Sequence, residues 1–368
     1  MRNQIVNHDQ DLAVTSFRKF LEAEIRPIVK EYRDRFIPKE KMREITQSIA
    51  DFGLPGGAVP VAHGGMGLPW TTQAMLFEEL ATVSCDIALV VMVNLGAVDI
   101  LLQGSDEIGQ RYLPALLAGR IFAGMGINQL GVDSHLIGID IVGERSGDCL
   151  ILNGEKKWIT NGVYSDFLIC PTHTRQQALS YILVDRSDHG YEARNIEQIG
   201  LASQSTAQIF ISNARVPLGN IIVDEYVSSK NRIALFKLTC AYIGLLSVGL
   251  MRAALADSIV FASDGRKQDK SIARHQLIAG KIADMTTLAD AARLLCFHAF
   301  DLIDADVDSD VELSMAQLFS TETAVKVCHD TVQLHGENGV AREFNFERYL
   351  RDALIIPVLS GPAGALKN

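Results

Sequence analysis

The run Asn153-Gly154-Glu155-Lys156-Lys157-Trp158-Ile159-Thr160-Asn161-Gly162 sets a large flat side chain and a hydroxyl close together, between turn-forming residues. At the rim of a β domain, such a tryptophan can wall a planar ring while the threonine hydrogen-bonds the ring's polar edge. The plainer reading is a buried tryptophan on a strand beside a turn. Further on, Gln333-Leu334-His335-Gly336-Glu337-Asn338-Gly339 offers glycines, which let a backbone approach a phosphate closely. Arg266, read by itself, is a solvated helix end.

Other chemistries find little support. Six scattered cysteines (Cys85, Cys149, Cys170, Cys240, Cys296 and Cys328) show no C-x-x-C spacing and no Cys/His cluster that would suggest zinc. Buried free thiols in a reducing compartment are the expectation. No G-x-G-x-x-G follows a strand, which disfavours a dinucleotide-type Rossmann site. A net charge of −10 with no basic run disfavours nucleic acid as a partner. The N-terminus lacks the long apolar stretch of a signal peptide, and the longest apolar runs are broken before the roughly 20 residues that span a bilayer. No membrane partner and a cytoplasmic location are expected.

Length and composition fit two or three packed units: 368 residues, 48% hydrophobic and 21% charged. Helical spacing of apolar residues runs from about Asp9 to Tyr32 and again over Lys39–Phe52, which Gly53 ends. After the glycine-rich stretch His63–Pro69, Thr71 or Thr72 is expected to cap a helix through Leu80. An apolar helix near Ile87–Leu102 and a shorter one ending at Ala118 follow. The pattern changes near Gly119. Short β-rich runs (149–152, 167–170, 181–184 and 208–211) are punctuated by Gly, Asn, Asp and Ser. Helical periodicity returns over Asn231–Ser263, Ala273–Ile303 and Val311–Leu334, with a last segment after Arg342. Helices, strands, then helices again point to an α+β chain in which a β domain is inserted into a helical core.

These segments, in this order, resemble the acyl-CoA dehydrogenase family over nearly the whole chain. Pro60-Val61-Ala62-His63-Gly64-Gly65-Met66-Gly67-Leu68 is similar to that family's P-x-x-x-G-G-x-G loop, and the Asn153–Gly162 run to its β-domain signature. Arg266-Lys267-Gln268, the Gln333–Gly339 run and Arg351-Asp352-Ala353 complete the set. The resemblance implies an N-terminal helical domain (1–119), a middle β-barrel-like domain (120–227) and a C-terminal four-helix bundle (228–368). It implies FAD as cofactor, with Trp158 and Thr160 against the flavin and Arg266 on the diphosphate in a neighbouring subunit. Gln333 and Gly336 would meet the adenosine part from a partner subunit. A shared site makes the protein at least a dimer, as homodimer, homotetramer or hetero-oligomer with a paralogue.

The departures bear on function. Where the family carries Thr-Glu-Pro-x-x-Gly-Ser-Asp, this chain reads Asn128-Gln129-Leu130-Gly131-Val132-Asp133-Ser134-His135. Ser134 survives in register, and Asn128 can still donate a hydrogen bond. Flavin-dependent α,β-desaturation needs a carboxylate over the substrate's α-carbon. Ser360 stands where the family's glutamate is expected, and the alternative position for the base aligns near Thr239, which is not acidic either. A serine hydroxyl is too weak a base to replace a carboxylate without an activating partner. The arginine that normally follows is Cys240, Pro362 and Gly364 replace a flavin-contacting Thr and Gln, and the chain ends short of the usual final helix. Glu337, in place of a glycine, is a weak candidate base whose plainer role is a solvated loop. Glu78 and Glu79 are expected to be ion-paired or exposed. The catalytic base is left unassigned. Three readings stay open: oxidation of an acyl thioester on coenzyme A or acyl carrier protein with a non-standard base; a flavin-dependent monooxygenase or oxidase; and a base-less subunit of a hetero-oligomeric acyl-CoA dehydrogenase.

Overall fold

The computed structural model describes residues 8–126, 141–174, 179–224, 229–264, 266–267 and 270–359. The chain opens with α1 (His8–Phe20), a π-helical stretch (Leu21–Ile25) and α2 (Arg26–Glu31). The sequence pattern predicts one helix here. Pro27 lacks the amide that an unbroken α pattern requires, and the widened turn lies just before it. The N-terminal part continues with α3 (Lys39–Ala50), α4 (Trp70–Val83), α5 (Cys85–Leu101) and α6 (Asp106–Leu117). Nearly every residue of α5 is buried, so this helix is apolar all round and packs on every side. Neither Thr71 nor Thr72 caps α4. Helix α4 starts after Pro69, and Asp304, far along the chain, takes the amides of Trp70 and Thr71 at 2.7 and 2.9 Å.

Next come β1 (Ala123–Met125), β2 (Ile141–Ser146), β3 (Cys149–Thr160), β4 (Phe167–Thr174), β5 (Leu179–Asp185), the short α7 (Arg186–His189), β6 (Glu192–Asn195), β7 (Thr206–Pro217) and β8 (Ile221–Asp224). They form one sheet in the order β6-β7-β3-β2-β4-β5-β8, with β1 added parallel to β4. Residues 167–170 of β4 are fully buried, as a continuous apolar strand between two packed faces requires. One face is sealed within the sheet domain by Leu152, Ile159, Ile209 and Val216; the other packs through Phe167, Ile169 and Leu183 onto α5 and α6.

The C-terminal part is α8 (Ser229–Asp264), a small hairpin of β9 (Arg266–Lys267) and β10 (Lys270–Ser271), α9 (Gln276–Asp304), α10 (Asp310–His335) and α11 (Phe346–Ile355). One apolar core joins α4 and α5 to α8, α9 and α10. The Leu238–Asp264 part of α8 is long and apolar enough to cross a membrane by length and composition, but 61% of its most apolar window is buried against the other helices. Its hydrophobicity is therefore that of a core helix. All six cysteines are free and buried.

Candidate active site

Trp158 decides the character of β3. It is 64% exposed, and its backbone is left-handed at φ 63°. The β3–β7 register explains this: Lys156 faces Ile209 and Ile159 faces Ala207, so Lys157 and Trp158 together oppose Gln208 in a bulge. The bulge swings the indole out of the sheet. Holding a bulky residue in this region costs on the order of 1 kcal/mol, and such strain persists only where surrounding structure enforces it. Asn161, at φ 63°, enforces it from the other side. Its amide donates to Ser205 O at 2.8 Å and its side chain donates to Val90 O at 3.1 Å, tying the end of β3 to α5. Thr160 pairs with Thr206 at the same rim and is half-buried. The buried-tryptophan reading of this run is thereby corrected.

Glycines bring the next strand close. A Cβ on Gly124 or Gly126 would touch Ile159 at 3.4 or 3.6 Å, so β1 and the residue after it pass directly against the Trp158–Thr160 segment. The chain then enters the stretch that contains Asn128 and Ser134. Those two residues and Ser360 lie outside the described residues, and for Arg266 only the backbone is described.

Gln333 and Gly336 are exposed together at the C-terminal end of α10. Gly336 has φ 59° and ψ −127°, a conformation essentially reserved for glycine, and nothing lies within 4 Å of where its Cβ would be. An open, side-chain-free cradle at a helix end can receive a ligand's polar backbone. Glu337 and Asn338 are exposed beside it in a 3-10 turn, so Glu337 occupies the solvated loop of its plainer reading. An exposed indole on the same strand as a rim hydroxyl fits the aromatic ring of a flavin dinucleotide; among the described residues nothing brings the Gly336 cradle to that rim within one chain.

The acids on α4 are not free to act as bases. Glu78 is held by Arg252 at 2.9 Å and Arg293 at 2.7 Å; Glu79 is held by Arg18 and Arg252, each at 2.9 Å. Burial pushes the Glu79 carboxyl up, but hydrogen bonds and charges from Arg18 and Arg252 outweigh it and hold the group below its usual range. Both acids are buried, so of the two expectations for them ion pairing holds and exposure does not. On α8, Cys240 is a buried thiol pushed by burial up to about 12, with no acid or cation character at neutral pH. Two residues on, the Tyr242 hydroxyl accepts from Gln73 Nε2 at 2.7 Å, and Gln73 Oε1 accepts from Ala58 N at 2.7 Å, fixing the loop ahead of the glycine-rich stretch. Among the described residues no group of three His, Cys, Asp or Glu side chains could hold a metal ion.

Three family models tile this chain: the acyl-CoA dehydrogenase N-terminal domain over residues 7–120, the middle domain over 128–214 and the C-terminal domain over 233–368. The chain belongs to the acyl-CoA dehydrogenase family. Members of this family are FAD-dependent oxidoreductases, and this chain is an enzyme of that kind. An acyl-CoA dehydrogenase of Bacillus subtilis is 28% identical over 367 residues, covering 97% of this chain and 95% of the relative. Butyryl-CoA dehydrogenase of Megasphaera elsdenii shares the fold with a TM-score of 0.90 at 21% identity, covering 100% and 98% of the two chains. A glutaryl-CoA dehydrogenase of Mycobacterium smegmatis, solved in complex with FADH2, aligns with a TM-score of 0.88 at 21% identity over 98% of this chain and 93% of its own. The acyl-CoA dehydrogenase architecture, helical at both ends with a sheet between, is therefore the one this chain adopts.

Proposed function

We propose that this acyl-CoA dehydrogenase family member binds FAD and oxidises an acyl thioester, carried on coenzyme A or acyl carrier protein, by α,β-dehydrogenation with a base other than the usual glutamate. The observation that carries the reading is Trp158, an exposed indole held on a strained left-handed bulge beside Thr160. FAD, when bound, supplies the acceptor for the hydride that leaves the β-carbon. Trp158 walls the ring and excludes water from one face of it, and the Thr160 hydroxyl hydrogen-bonds its polar edge. Asn128 and Ser134, which follow β1 in the sequence, contribute hydrogen bonds to the same group. Arg266, Gln333 and Gly336 of a second copy meet the diphosphate and adenosine, which makes the active unit at least a dimer, homodimeric or homotetrameric. The domains meet near residues 119 and 227. A cytoplasmic location fits the burial of its most apolar helix.

A second reading, a base-less subunit working with a paralogue that bears the glutamate, is favoured by one observation. Glu78 and Glu79 are consumed by arginines, and Cys240 is an inert buried thiol. One experiment separates the readings. The purified protein should be yellow, and under nitrogen its visible bands should bleach with one member of an acyl-thioester panel. Colourless protein that takes up no FAD sinks both readings. Bleaching only in a mixture with a glutamate-bearing paralogue selects the second. Bleaching by NADH, with oxygen uptake but no response to thioesters, replaces both with oxidase or monooxygenase chemistry.

A further inference from the structure

Asp86, near the start of α5, and Asp352, on α11, are both buried, and each takes one backbone amide of the same loop. Ser203 N donates to Asp86 Oδ1 at 2.8 Å, and Leu201 N donates to Asp352 Oδ1 at 2.6 Å. Between the two acids lies Arg348, 2.7 Å from Asp86 and 3.6 Å from Asp352. The loop is held from further sides. Ser203 Oγ donates to Tyr32 O, Ile37 N donates to Ser203 O, and Arg351 Nη1 donates to Ile199 O. A Cβ on Gly200 would lie 2.5 Å from the backbone of Arg351, so only glycine lets the loop sit flat on α11. Beyond the loop the chain becomes β7, whose first residue Thr206 pairs with Thr160.

We propose that Asp352 is a positioning residue: with Asp86 and Arg348 it clamps the Leu201–Ser203 loop, and so the Thr206–Thr160 rim that carries Trp158, onto α11. The proposal rests on the flavin reading of that rim for its consequence, not for the clamp itself.

The charges make the clamp proton-sensitive. Two carboxylates share one close guanidinium in a buried place, which leaves an excess negative charge that a proton relieves. Burial first, then the Asp86 charge, push the Asp352 carboxyl up; Arg348, the Leu201 amide and Arg351 pull it back; the balance is about 7. Arg351 is itself paired with Asp34 and Glu347, and other titratable groups facing the cluster, the Cys85 and Cys328 thiols and the Tyr164 hydroxyl, are pushed well up by burial and stay neutral. A groove of about 820 Å³ lined by Cys85, Arg348 and Asp352 connects the cluster to solvent, so the proton can exchange. Between aspartate's ordinary 3.8 and about 7 the native pair holds a proton that the opened or unfolded chain has lost. The clamp is therefore strongest at the acid end of that window, weakens as the pH rises to about 7, and changes no further above it.

The test is hydrogen exchange at the Leu201 and Ser203 amides between pH 5.5 and 7.5, corrected for intrinsic rates, in flavin-free and FAD-loaded protein. In the native sequence, protection of both amides should fall about tenfold across the window. In Asp352→Asn, whose carboxamide still accepts from Leu201 but cannot titrate, protection should be flat, and the visible spectrum of bound flavin should lose any shift with the same midpoint. Protection that does not change with pH in the native sequence, or that keeps its pH dependence in Asp352→Asn, overturns the proposal. The native titration decides alone if the variant does not fold. Failure of the flavin reading is distinct: the amides titrate as stated, but no FAD binds at any pH.

Discussion

Glu78 on α4 and Arg293 on α9 lie 2.7 Å apart, and the glutamate side chain is 1% exposed. The same carboxylate meets Arg252 of α8, which also reaches Glu79, so four charged side chains bolt three helices of the core together, with Arg18 closing the outer end. A buried ion pair adds little over a well-packed apolar pair, but removing one partner strands the others. Glu78→Gln should leave two arginines short of a counter-charge and destabilise the fold by ~3 kcal/mol. A urea unfolding midpoint checks this. If the variant loses thioester oxidation while keeping full stability and bound flavin, Glu78 is the missing base and its structural role here is wrong.

Asp304 accepts from Trp70 N, Thr71 N and Thr71 Oγ, and so caps α4 from the last turn of α9. Asp304→Ala should cost about 1 kcal/mol, the usual worth of an N-cap. Thr71→Ala should cost clearly less, because the threonine hydroxyl is a donor here and satisfies no helix amide. Equal losses in the two variants, by chemical unfolding, would mean that the threonine is the real cap.

These two features mark where the sequence stops being legible. Helices α8, α9 and α10 can be read to within a few residues because their apolar positions recur along the chain, and β4 and β5 because continuous apolar runs bounded by turns leave little choice. The α4 cap cannot be read, because its carboxylate lies 234 residues away. Nor can the partners of Glu78 and Glu79, which come from α1, α8 and α9. Strand β2 is missed because its outward positions, among them Glu144 and Arg145, hide the apolar alternation. At the site, the residue types of Trp158 and Thr160 are visible in sequence. The bulge that turns the indole outward depends on a register shift against β7, and only pairing reveals it. Asp352 is visible as part of Arg351-Asp352-Ala353, but its two-acid arrangement needs Asp86 to be brought alongside.

On the proposed reading, Ser360, by its place in the sequence, stands where the family's glutamate is expected. A positioned carboxylate general base is worth roughly 10²–10⁴ in rate. Ser360→Glu should therefore raise thioester-dependent flavin bleaching at least about tenfold if the pocket is otherwise intact. Stopped-flow absorbance under nitrogen measures it directly. Bound flavin with no gain for any thioester in the panel would point to a pocket rebuilt for different chemistry.

Trp158 allows stability and binding to be pulled apart. Its left-handed backbone suits asparagine better than any bulky residue, because Asn's short polar side chain tolerates φ near 60°. The indole is mostly exposed, so removing it loses little packing in the free protein. Trp158→Asn should consequently leave the flavin-free protein as stable as before, or more stable by up to about 1 kcal/mol as the strain is relieved. FAD affinity should meanwhile drop roughly tenfold, the worth of one lost aromatic stack. Calorimetric melting of the apoprotein and flavin fluorescence titration give the two numbers. A variant that melts early and binds FAD normally would show the indole to be a structural anchor, and the proposed stacking surface would have to be sought elsewhere on the sheet.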